Sequence, residues 1–339
     1  MASLHKLTPW SWSSTGTEVV EAFKDRVKDK TILITGPSAG GIGAATALTL
    51  ASAAPSLLLL TGRSESKVTS VIQDINQKYP SVDVQFVLCD LASQASVRSA
   101  TATISSILGD RGLDILICNA AIMACPYALN PEGIESQFGT NHIGHFLLTN
   151  LLFSHILKSE TPRVVMVSSS AHRFGTIRWD DWNFDGDGEK GKGKAYYEWE
   201  GYGQSKFANI LFAKSLARIF EKRGSVGKAF SLHPGSIRSG LQVHMLASDN
   251  LLADGLARAT ASEEKEGREF KREPLKTLDQ GCSTTLVAAL DPSIESVSGA
   301  YLVNGDVAEY PPLESSVTVE DQDRLWELSE KLVGEKFSW

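Results

Sequence analysis

Tyr202 and Lys206 stand four residues apart in the run YGQSK, at the head of a stretch of helix-forming residues. Residues with this spacing share one face of an α-helix, so the lysine ammonium can lie near the tyrosine hydroxyl. A free phenol has a pKa of about 10 and is a slow acid–base group at neutral pH. A nearby cation lowers that pKa, so the spacing predicts an acid–base pair. The same spacing is also common by chance, and other residues must support it.

The segment TILITGPSAGGIGAATAL, from Thr31 to Leu48, has the pattern of a strand, a glycine-rich turn and an alanine-rich helix. Glycines at such a junction let the backbone approach a pyrophosphate, which the free N–H groups of the helix N-terminus bind. The alternative is a tight strand–helix turn that binds nothing. The residues predicted to line a dinucleotide site here are Gly36, Ser38, Gly41, Ile42 and Gly43, with Gly40 able to replace one of the glycines.

The second predicted strand ends in Thr61, Gly62 and Arg63. A site selective for NAD usually carries a carboxylate at this position, where it binds the ribose 2′-hydroxyl. Gly62 occupies the position instead and Arg63 follows it, so a 2′-phosphate would be neutralised and hydrogen-bonded. The sequence therefore favours NADP(H), although an exposed arginine without a ligand is common on protein surfaces.

The elements that must position these residues alternate along the chain between apolar strands and helices. This alternation predicts a parallel sheet covered on both faces and joined by right-handed crossovers. The predicted strands are 31–35, 57–61, 84–89, 115–118, 163–167, 228–232 and 301–303. The predicted helices are 17–30, 43–53, 65–78, 93–108, 132–157, 202–221 and 277–290. We expect an α/β protein, a doubly wound Rossmann fold with a mostly parallel seven-stranded sheet.

We expect residues 1–30 to form an N-terminal extension and residues 31–339 a single dinucleotide-binding catalytic domain. Two segments, near 174–201 and 238–275, interrupt the alternation and are predicted to be substrate-loop insertions. The first is rich in glycine and lysine, and fits a solvated connection better than a substrate rim. The second follows a strand end and is interpreted as either a lid over the site or an irregular connection.

Composition argues against several classes of protein. Of the 339 residues 42% are hydrophobic and 22% are charged, which is typical of a globular protein with a sizeable core. The net charge of -7 gives no basic face for nucleic acid or anionic membranes. No apolar run approaches the roughly 18 residues of a membrane span, and the first residues lack a secretory signal. The four cysteines show no disulfide-like spacing, and we expect a cytoplasmic protein.

Seven segments of this chain, in the same order, resemble motifs of the short-chain dehydrogenase/reductase family, especially its retinol-dehydrogenase-like and fungal secondary-metabolite branches. The segments are TGPSAGGIG (35–43), CDLAS (89–93), CNAAI (118–122), TNHIGHFLLTNLL (140–152), RVVMVSSSAH (163–172), YGQSK (202–206) and HPGSIRS (233–239). Any one of them is a weak signal, whereas seven in register are specific. The resemblance implies an NADP(H)-dependent oxidoreductase that acts on a small to medium apolar carbonyl or alcohol, in secondary metabolism.

The resemblance also implies roles for individual residues. Tyr202 donates the proton in reduction, while Lys206 lowers the pKa of that phenol and holds the nicotinamide ribose. Ser169 binds the substrate oxygen and stabilises the charge that develops on it. Its neighbours Ser168 and Ser170 are alternatives for that role. Asn141 supports a water chain from Lys206 to solvent.

The remaining implied contacts belong to the cofactor. Asp90 binds the adenine, and Asn119 steadies the central strand beside the cofactor. The backbone around Ile237 and the hydroxyl of Ser239 meet the nicotinamide carboxamide. The chain departs from the family pattern in its glycine turn, which has one extra residue, and in CNAA, which replaces NNAG. The family resemblance further implies a homodimer or a homotetramer.

Several histidines invite other interpretations. His142 and His145 have a spacing found among metal ligands, but no suitable third ligand follows, and we expect no metal site. His172 near Ser169 would suit a hydrolase, but the chain has no GxSxG elbow. His233 precedes a Pro-Gly pair and is interpreted as structural.

Three tryptophans flank the first insertion, and packing explains them better than a substrate pocket does. These residues are Trp179, Trp182 and Trp199. Two alternative functions stay open at this point. One is a non-catalytic NADP-sensing interaction protein on the same fold, and the other is a reductase-like biosynthetic enzyme with coupled dehydration.

Overall fold

The computed structural model describes residues 6–185, 196–247, 249–265, 267, 269–271, 273–308 and 317–339. Within these residues eight strands form one sheet, in the order β3-β2-β1-β4-β5-β6-β7-β8. The strands are β1 Thr31–Thr35, β2 Leu57–Gly62, β3 Asp83–Leu88, β4 Ile115–Cys118, β5 Arg163–Val167, β6 Lys228–His233, β7 Tyr301–Val303 and β8 Asp306–Val307. The predicted doubly wound α/β fold is confirmed. The glycine- and lysine-rich run 188–194 lies outside the described residues.

The first seven strands are parallel to one another, and each coincides with a predicted strand to within one residue at either end. The sheet has one strand more than the seven predicted, because the two-residue β8 pairs antiparallel with β7. Asn304 and Gly305 connect them with φ angles of 53° and 80°, a backbone that reverses the chain tightly. An Asn-Gly pair is a strong hairpin signal, so the sequence did contain the information for this strand.

Helices cover both faces of the sheet. The α-helices of the described residues are α1 Gly16–Ala22, α2 Ile42–Ala51, α3 Thr69–Lys78, α4 Gln94–Leu108, α5 Ser136–Phe138, α6 Gly144–Leu151, α7 Phe153–Lys158, α8 Glu198–Lys222, α9 Val243–Leu246, α10 Asp249–Lys265, α11 Leu278–Leu290 and α12 Val319–Val333. One core cluster joins the sheet to α1, α2, α3 and α11, and the other joins it to α4, α6, α8 and α12. Strands buried on both faces explain the continuous apolar runs of the sequence.

Two predicted helices are wrong in their extent. The helix expected over residues 17–30 ends at Ala22, and a 3₁₀ turn at Lys24–Arg26 then leads to Asp29, whose φ of 62° redirects the chain into β1. The helix expected over residues 132–157 is divided into α5, a π-helical turn at Gly139–Ile143, α6 and α7. A π turn inserts an extra residue into the helical ladder and is frequent at functional sites.

Three helices, the four-residue α9 and the longer α10 and α12, fall where the sequence predicted none. The 17-residue α10 lies inside the segment 238–275 that was interpreted as a lid or an irregular connection. The helix α12 begins after the N-cap Thr318, which accepts a hydrogen bond from the backbone N–H of Asp321, and ends at Gly334 with φ 69°. An N-cap threonine and a glycine just past the end are ordinary helix signals, and the sequence analysis overlooked them.

Candidate active site

The strand order reverses between β1 and β4, which opens a crevice at the carboxyl edge of the sheet. The glycine turn follows β1 at this point. Gly36 has a φ of 66°, and a Cβ built there would lie 2.7 Å from the Cβ of Ala120. A Cβ on Gly43 would lie 2.5 Å from Nδ2 of Asn119, so both positions exclude any larger residue. These glycines bring the turn against the end of β4.

The turn leaves the first helix after β1 open at its N-terminus. Gly41 is the N-cap of α2, and no side chain caps its N–H groups. The extra residue of the turn is accommodated by Gly40, whose φ is 73° and whose Cβ position faces open space. Ser38 and Ile42 lie half-buried beside it. An uncapped helix N-terminus preceded by glycines is a physical match for a pyrophosphate.

Asn119 links the two strands that border the crevice. Its Nδ2 donates hydrogen bonds to the carbonyl oxygens of Thr35, at 2.9 Å, and Gly36, at 3.2 Å. Its backbone N–H and that of Ala120 both donate to Oγ1 of Thr35. The asparagine therefore holds the glycine turn in register with the end of β4.

The other residues predicted to contact the cofactor follow the strands β2, β3 and β6. Arg63 follows β2 with an exposed side chain, and none of the described carboxylates forms an ion pair with it. Asp90 follows β3, where its Oδ1 accepts a hydrogen bond from the backbone N–H of Ala92 at 3.0 Å. Ile237 and Ser239 follow β6; Ile237 is buried, and Ser239 is the N-cap of the 3₁₀ turn Gly240–Gln242.

Tyr202 and Lys206 lie on one face of α8, with exposed fractions of 3% and 1%. The Lys206 Nζ is 5.7 Å from the centroid of the Tyr202 ring and donates a hydrogen bond of 2.9 Å to the carbonyl oxygen of Val167. The ammonium is thus fixed between the end of β5 and the phenol ring. Helical spacing and the docking of α8 on β5 together produce this arrangement.

Burial is the largest cause of the pKa shifts of Tyr202 and Lys206. It raises the pKa of Tyr202, and a side-chain hydrogen bond with Ser169 opposes the rise only in part. Burial also lowers the pKa of Lys206 to about 7. The sequence predicts that the lysine lowers the pKa of the phenol, whereas burial raises this pKa. Desolvation of the buried phenol outweighs the opposing effect of Ser169, and Lys206 is itself desolvated.

The structure distinguishes the three serines that follow β5. Ser168 is buried, and its hydroxyl donates to the backbone oxygen of Lys206 at 2.7 Å. Ser170 has an exposed side chain. Ser169 is half-buried, and its side chain is close enough to the Tyr202 phenol to oppose the rise of the phenol pKa. Of the three serines, Ser169 is therefore the one whose side chain lies next to the Tyr202 phenol.

Asn141 lies in the π turn and joins the end of β4 to α8. Its Oδ1 accepts from the backbone N–H of Ile122 at 2.8 Å, and its Nδ2 donates to Ile122 O and to Ser205 Oγ, both at 2.9 Å. Its backbone oxygen accepts a hydrogen bond from Nδ1 of His145 at 2.9 Å. These contacts make Asn141 a link within the protein, and its part in a water chain stays a prediction.

An apolar cluster surrounds Tyr202, and the sequence analysis did not assign it to the site. Trp199 packs edge-on against Tyr202 with ring centroids 6.2 Å apart, and its Nε1 donates to the Leu251 oxygen of α10 at 2.8 Å. A Cβ on Gly255 would lie 2.8 Å from the Trp199 ring, so α10 rests directly on it. The remaining members of the cluster are Met123, Ala124, Ala171, Phe174, Leu241, Met245 and Leu251.

The histidines that invited a metal interpretation take part in packing. Nε2 of His145 hydrogen-bonds Oγ1 of Thr35 at 2.9 Å, and Nε2 of His142 hydrogen-bonds Oγ of Ser329 at 2.8 Å. Burial lowers the pKa of His142 to about 3 and that of His145 to about 4. Among the described residues no three histidines, cysteines or acids are grouped in a way that would hold a metal ion.

Comparison with known proteins agrees with this architecture. Residues 30–180 match the family model described as short chain dehydrogenase. The chain is 36% identical to retinol dehydrogenase 14 of Mus musculus over 314 residues, which cover 90% of this chain and 86% of that protein. It is 33% identical to the short-chain dehydrogenase/reductase prx1 of Penicillium roqueforti, over 91% of this chain and 86% of the relative. The chain belongs to the short-chain dehydrogenase/reductase family and is retinol-dehydrogenase-like.

Solved structures share the fold. An uncharacterised protein from Mycobacterium paratuberculosis is 29% identical, with a TM-score of 0.67 over 98% of this chain and 100% of that chain. A short-chain dehydrogenase from Escherichia coli CFT073, crystallised with NADPH, is 22% identical, with a TM-score of 0.56 over 82% of this chain and 98% of its own. This second likeness concerns the fold alone. No helix in the described part of this chain has the length and apolar character needed to cross a membrane.

Proposed function

We propose that this oxidoreductase uses NADP(H) and acts on a small to medium apolar substrate, reducing a ketone or aldehyde or oxidising the corresponding alcohol. The observation that carries the proposal is the grouping of Tyr202, Lys206 and Ser169 at the carboxyl edge of the sheet, next to the glycine turn. Relatives named as retinol dehydrogenases support chemistry on a carbonyl or alcohol carbon.

A dinucleotide would lie along the crevice. The glycine turn and the uncapped N-terminus of α2 would hold the pyrophosphate, and Asp90 would bind the adenine. Arg63, which pairs with none of the described carboxylates, would bind a 2′-phosphate. Ile237 and Ser239 would meet the carboxamide. The nicotinamide, when bound, supplies or accepts the hydride.

The residues of the chain then account for the proton and the charge. In reduction, Ser169 donates a hydrogen bond to the carbonyl oxygen and stabilises the negative charge that develops there. Tyr202 gives its proton to the same oxygen, and the raised pKa of the buried phenol keeps that proton in place until the oxygen becomes basic. Lys206 holds the nicotinamide ribose, and Asn141 ties the end of β4 to α8.

The surroundings of the phenol indicate the kind of substrate. Met123, Trp199 and Phe174 present apolar surface next to Tyr202, and α10 adds Leu251. Burying an apolar substrate against such side chains is favourable, at about 25 cal/mol per Å² of surface removed from water. A charged substrate would lose its hydration without gaining a partner, so we propose apolar carbonyl compounds and alcohols.

The substitution Tyr202→Phe tests the proposal. With a panel of aryl and alkyl ketones and NADPH, we expect kcat to fall by about a hundredfold or more, because the general acid is lost. The affinity for NADPH should stay unchanged. Tyr79→Phe, at the end of α3, is the matched control and should keep full turnover. Near-normal turnover by Tyr202→Phe with intact cofactor binding would refute the proposal.

Two other functions predict different results. A non-catalytic NADP-sensing protein would bind a partner in response to the cofactor, without oxidising NADPH across the ketone panel. A biosynthetic enzyme with coupled dehydration would release a product whose mass shows loss of water. A product that has gained only two hydrogens supports the simple reductase.

The proposal also covers the cellular compartment and the oligomeric state of the protein. All four cysteines are buried and unpaired, which fits the cytoplasm. A homodimer or homotetramer stays a prediction from the family resemblance. Fractionation of cells that express a tagged chain, and light scattering of the purified protein, test the two statements separately.

A further inference from the structure

His172 holds the backbone of Ser169 from within the turn that follows it. The 3₁₀ turn Ser170–Phe174 starts directly after Ser169, and the His172 side chain is only 3% exposed. Its Nδ1 lies 2.7 Å from the carbonyl oxygen of Ser169, and its backbone N–H donates to the same oxygen at 3.1 Å. A carbonyl oxygen only accepts hydrogen bonds, so Nδ1 carries the proton.

The other side of the His172 ring rests on β7. The ring meets Tyr301 edge-on, with centroids 4.9 Å apart. Neither Nε2 of His172 nor the hydroxyl of Tyr301 has a hydrogen-bond partner among the described residues. Burial lowers the pKa of His172 to about 4, so the ring is neutral and has its one N–H at Nδ1. The tautomer that binds the Ser169 carbonyl is therefore the stable one at neutral pH.

Helix α8 packs closely against the same 3₁₀ turn. A Cβ on Gly203 would lie 2.6 Å from the backbone oxygen of Ala171, and the residue before Gly203 is Tyr202. The Ser169 hydroxyl also accepts a hydrogen bond of 3.2 Å from the N–H of Ala171. The turn thus contacts both Tyr301 and α8, and Ser169 is the N-cap residue that immediately precedes it.

We propose that His172 is a positioning residue for Ser169, and this inference rests on the proposed function. By holding the Ser169 carbonyl and packing on Tyr301, the imidazole fixes the extended backbone of Ser169, with φ -162° and ψ 156°. That conformation directs the hydroxyl toward Tyr202 and the substrate oxygen. In a hydrolase the unprotonated Nε2 would accept the serine proton; Nε2 of His172 has no hydrogen-bond partner among the described residues, so His172 is not a general base.

Two substitutions of different chemistry test this assignment. His172→Leu removes the donor, and His172→Asn retains an N–H donor near the position of Nδ1. With wild-type Ser169, we expect His172→Leu to lower kcat about tenfold at unchanged NADPH affinity, because one hydrogen bond that orients the serine is lost. His172→Asn should keep kcat within about threefold of wild type.

The same substitutions in a Ser169→Ala background separate positioning from general damage. If His172 acts through the serine hydroxyl, His172→Leu should cost less than about twofold further once that hydroxyl is absent. An equal loss of kcat in both backgrounds would overturn the proposal, because it would show an effect independent of Ser169. Wild-type kcat in a folded His172→Leu protein would overturn it as well.

Further variants keep the test decisive if His172→Leu does not fold. A tenfold loss in His172→Asn, with its melting temperature unchanged, would then refute the role of the N–H donor. Tyr301→Phe retains the ring under His172 and should turn over within about twofold of wild type; a larger loss would assign the effect to the tyrosine hydroxyl. A wild-type chain that oxidises no NADPH, or an active Tyr202→Phe, would instead refute the proposed function.

Discussion

Burial gives the two members of the acid–base pair opposite shifts. The pKa of the Tyr202 phenol is raised, and the pKa of the Lys206 ammonium falls to about 7. At neutral pH the phenol therefore holds its proton, which suits a donor in reduction. Lys206 loses its proton more readily than a free lysine, so changes in its surroundings can alter its charge.

At the scale of one residue, Arg63 is predicted to select NADP(H). We expect Arg63→Ala to weaken NADPH binding by about ten- to a hundredfold, the loss typical of one charge-assisted hydrogen bond to a phosphate. NADH binding should change less than about twofold, since NADH lacks the 2′-phosphate. Fluorescence titration of both nucleotides measures the two constants.

Arg223→Ala is the control for the loss of one positive charge. Arg223 is exposed and follows α8 at the amino edge of the sheet, away from the glycine turn. The Arg223→Ala variant should leave the affinities for NADPH and NADH unchanged. Equal weakening of NADPH and NADH by Arg63→Ala would contradict a contact with the 2′-phosphate.

At the scale of elements, α10 is attached to the site by a few contacts. The Trp199 indole bonds the Leu251 oxygen, Arg258 lies 5.2 Å over the Tyr197 ring, and Arg173 pairs with Glu263. Each joins α10 to the residues just before Tyr202 or just after Ser169. The helix therefore covers the apolar cluster while it remains separate from the two large cores.

Trp199→Phe is predicted to loosen α10 without harming the fold. Loss of one neutral hydrogen bond, about 1 kcal/mol, should raise the open population of α10 about fivefold. Hydrogen exchange over residues 249–265 should speed up by that factor, and KM for a bulky apolar ketone should rise. Gly255→Ala should act in the same direction, because its Cβ would lie 2.8 Å from the indole ring.

Trp326→Phe is the matched control in α12. Its indole donates to Glu330 within α12, away from the apolar cluster. Exchange over residues 249–265 should stay at the wild-type rate in this variant. Unchanged exchange of α10 in both Trp199→Phe and Gly255→Ala would show that α10 is held by other contacts.

At the scale of the whole molecule, buried histidines predict sensitivity to acid. Burial lowers the pKa of His142 and His233 to about 3, and that of His145 and His172 to about 4, from an ordinary value of 6.5. At pH values between the lowered pKa of each histidine and 6.5, the unfolded chain binds more protons than the folded one. Stability is therefore fully present above pH 6.5 and is lost as the pH falls through that window.

The free energy of unfolding should fall by up to about 5 kcal/mol per pH unit near pH 5, since each proton taken up contributes about 1.4 kcal/mol. Glu135 acts in the opposite direction, because burial raises its pKa. Urea unfolding followed by tryptophan fluorescence between pH 7 and pH 4.5 measures the slope. A midpoint that does not move with pH would contradict the prediction.

Local sequence patterns were sufficient for most of the framework. Apolar runs such as Leu57–Gly62 predicted the parallel strands, because a strand buried on both faces needs apolar residues at every position. The helices α10 and α12 were not predicted although their residues are helix-forming, since polar surface helices resemble loops in composition. The division of residues 132–157 could not be foreseen, because a π turn depends on packing against β4 and α8.

By itself the sequence determined that Tyr202 and Lys206 share a helix face and that a glycine turn follows β1, because both depend on residues close together in the chain. Only the tertiary structure decided that the pKa of Tyr202 rises, that Ser169 rather than Ser168 or Ser170 meets the phenol, and that Trp199 supports α10. Desolvation and packing depend on atoms contributed by segments far apart in sequence, and no local pattern records which of them will meet.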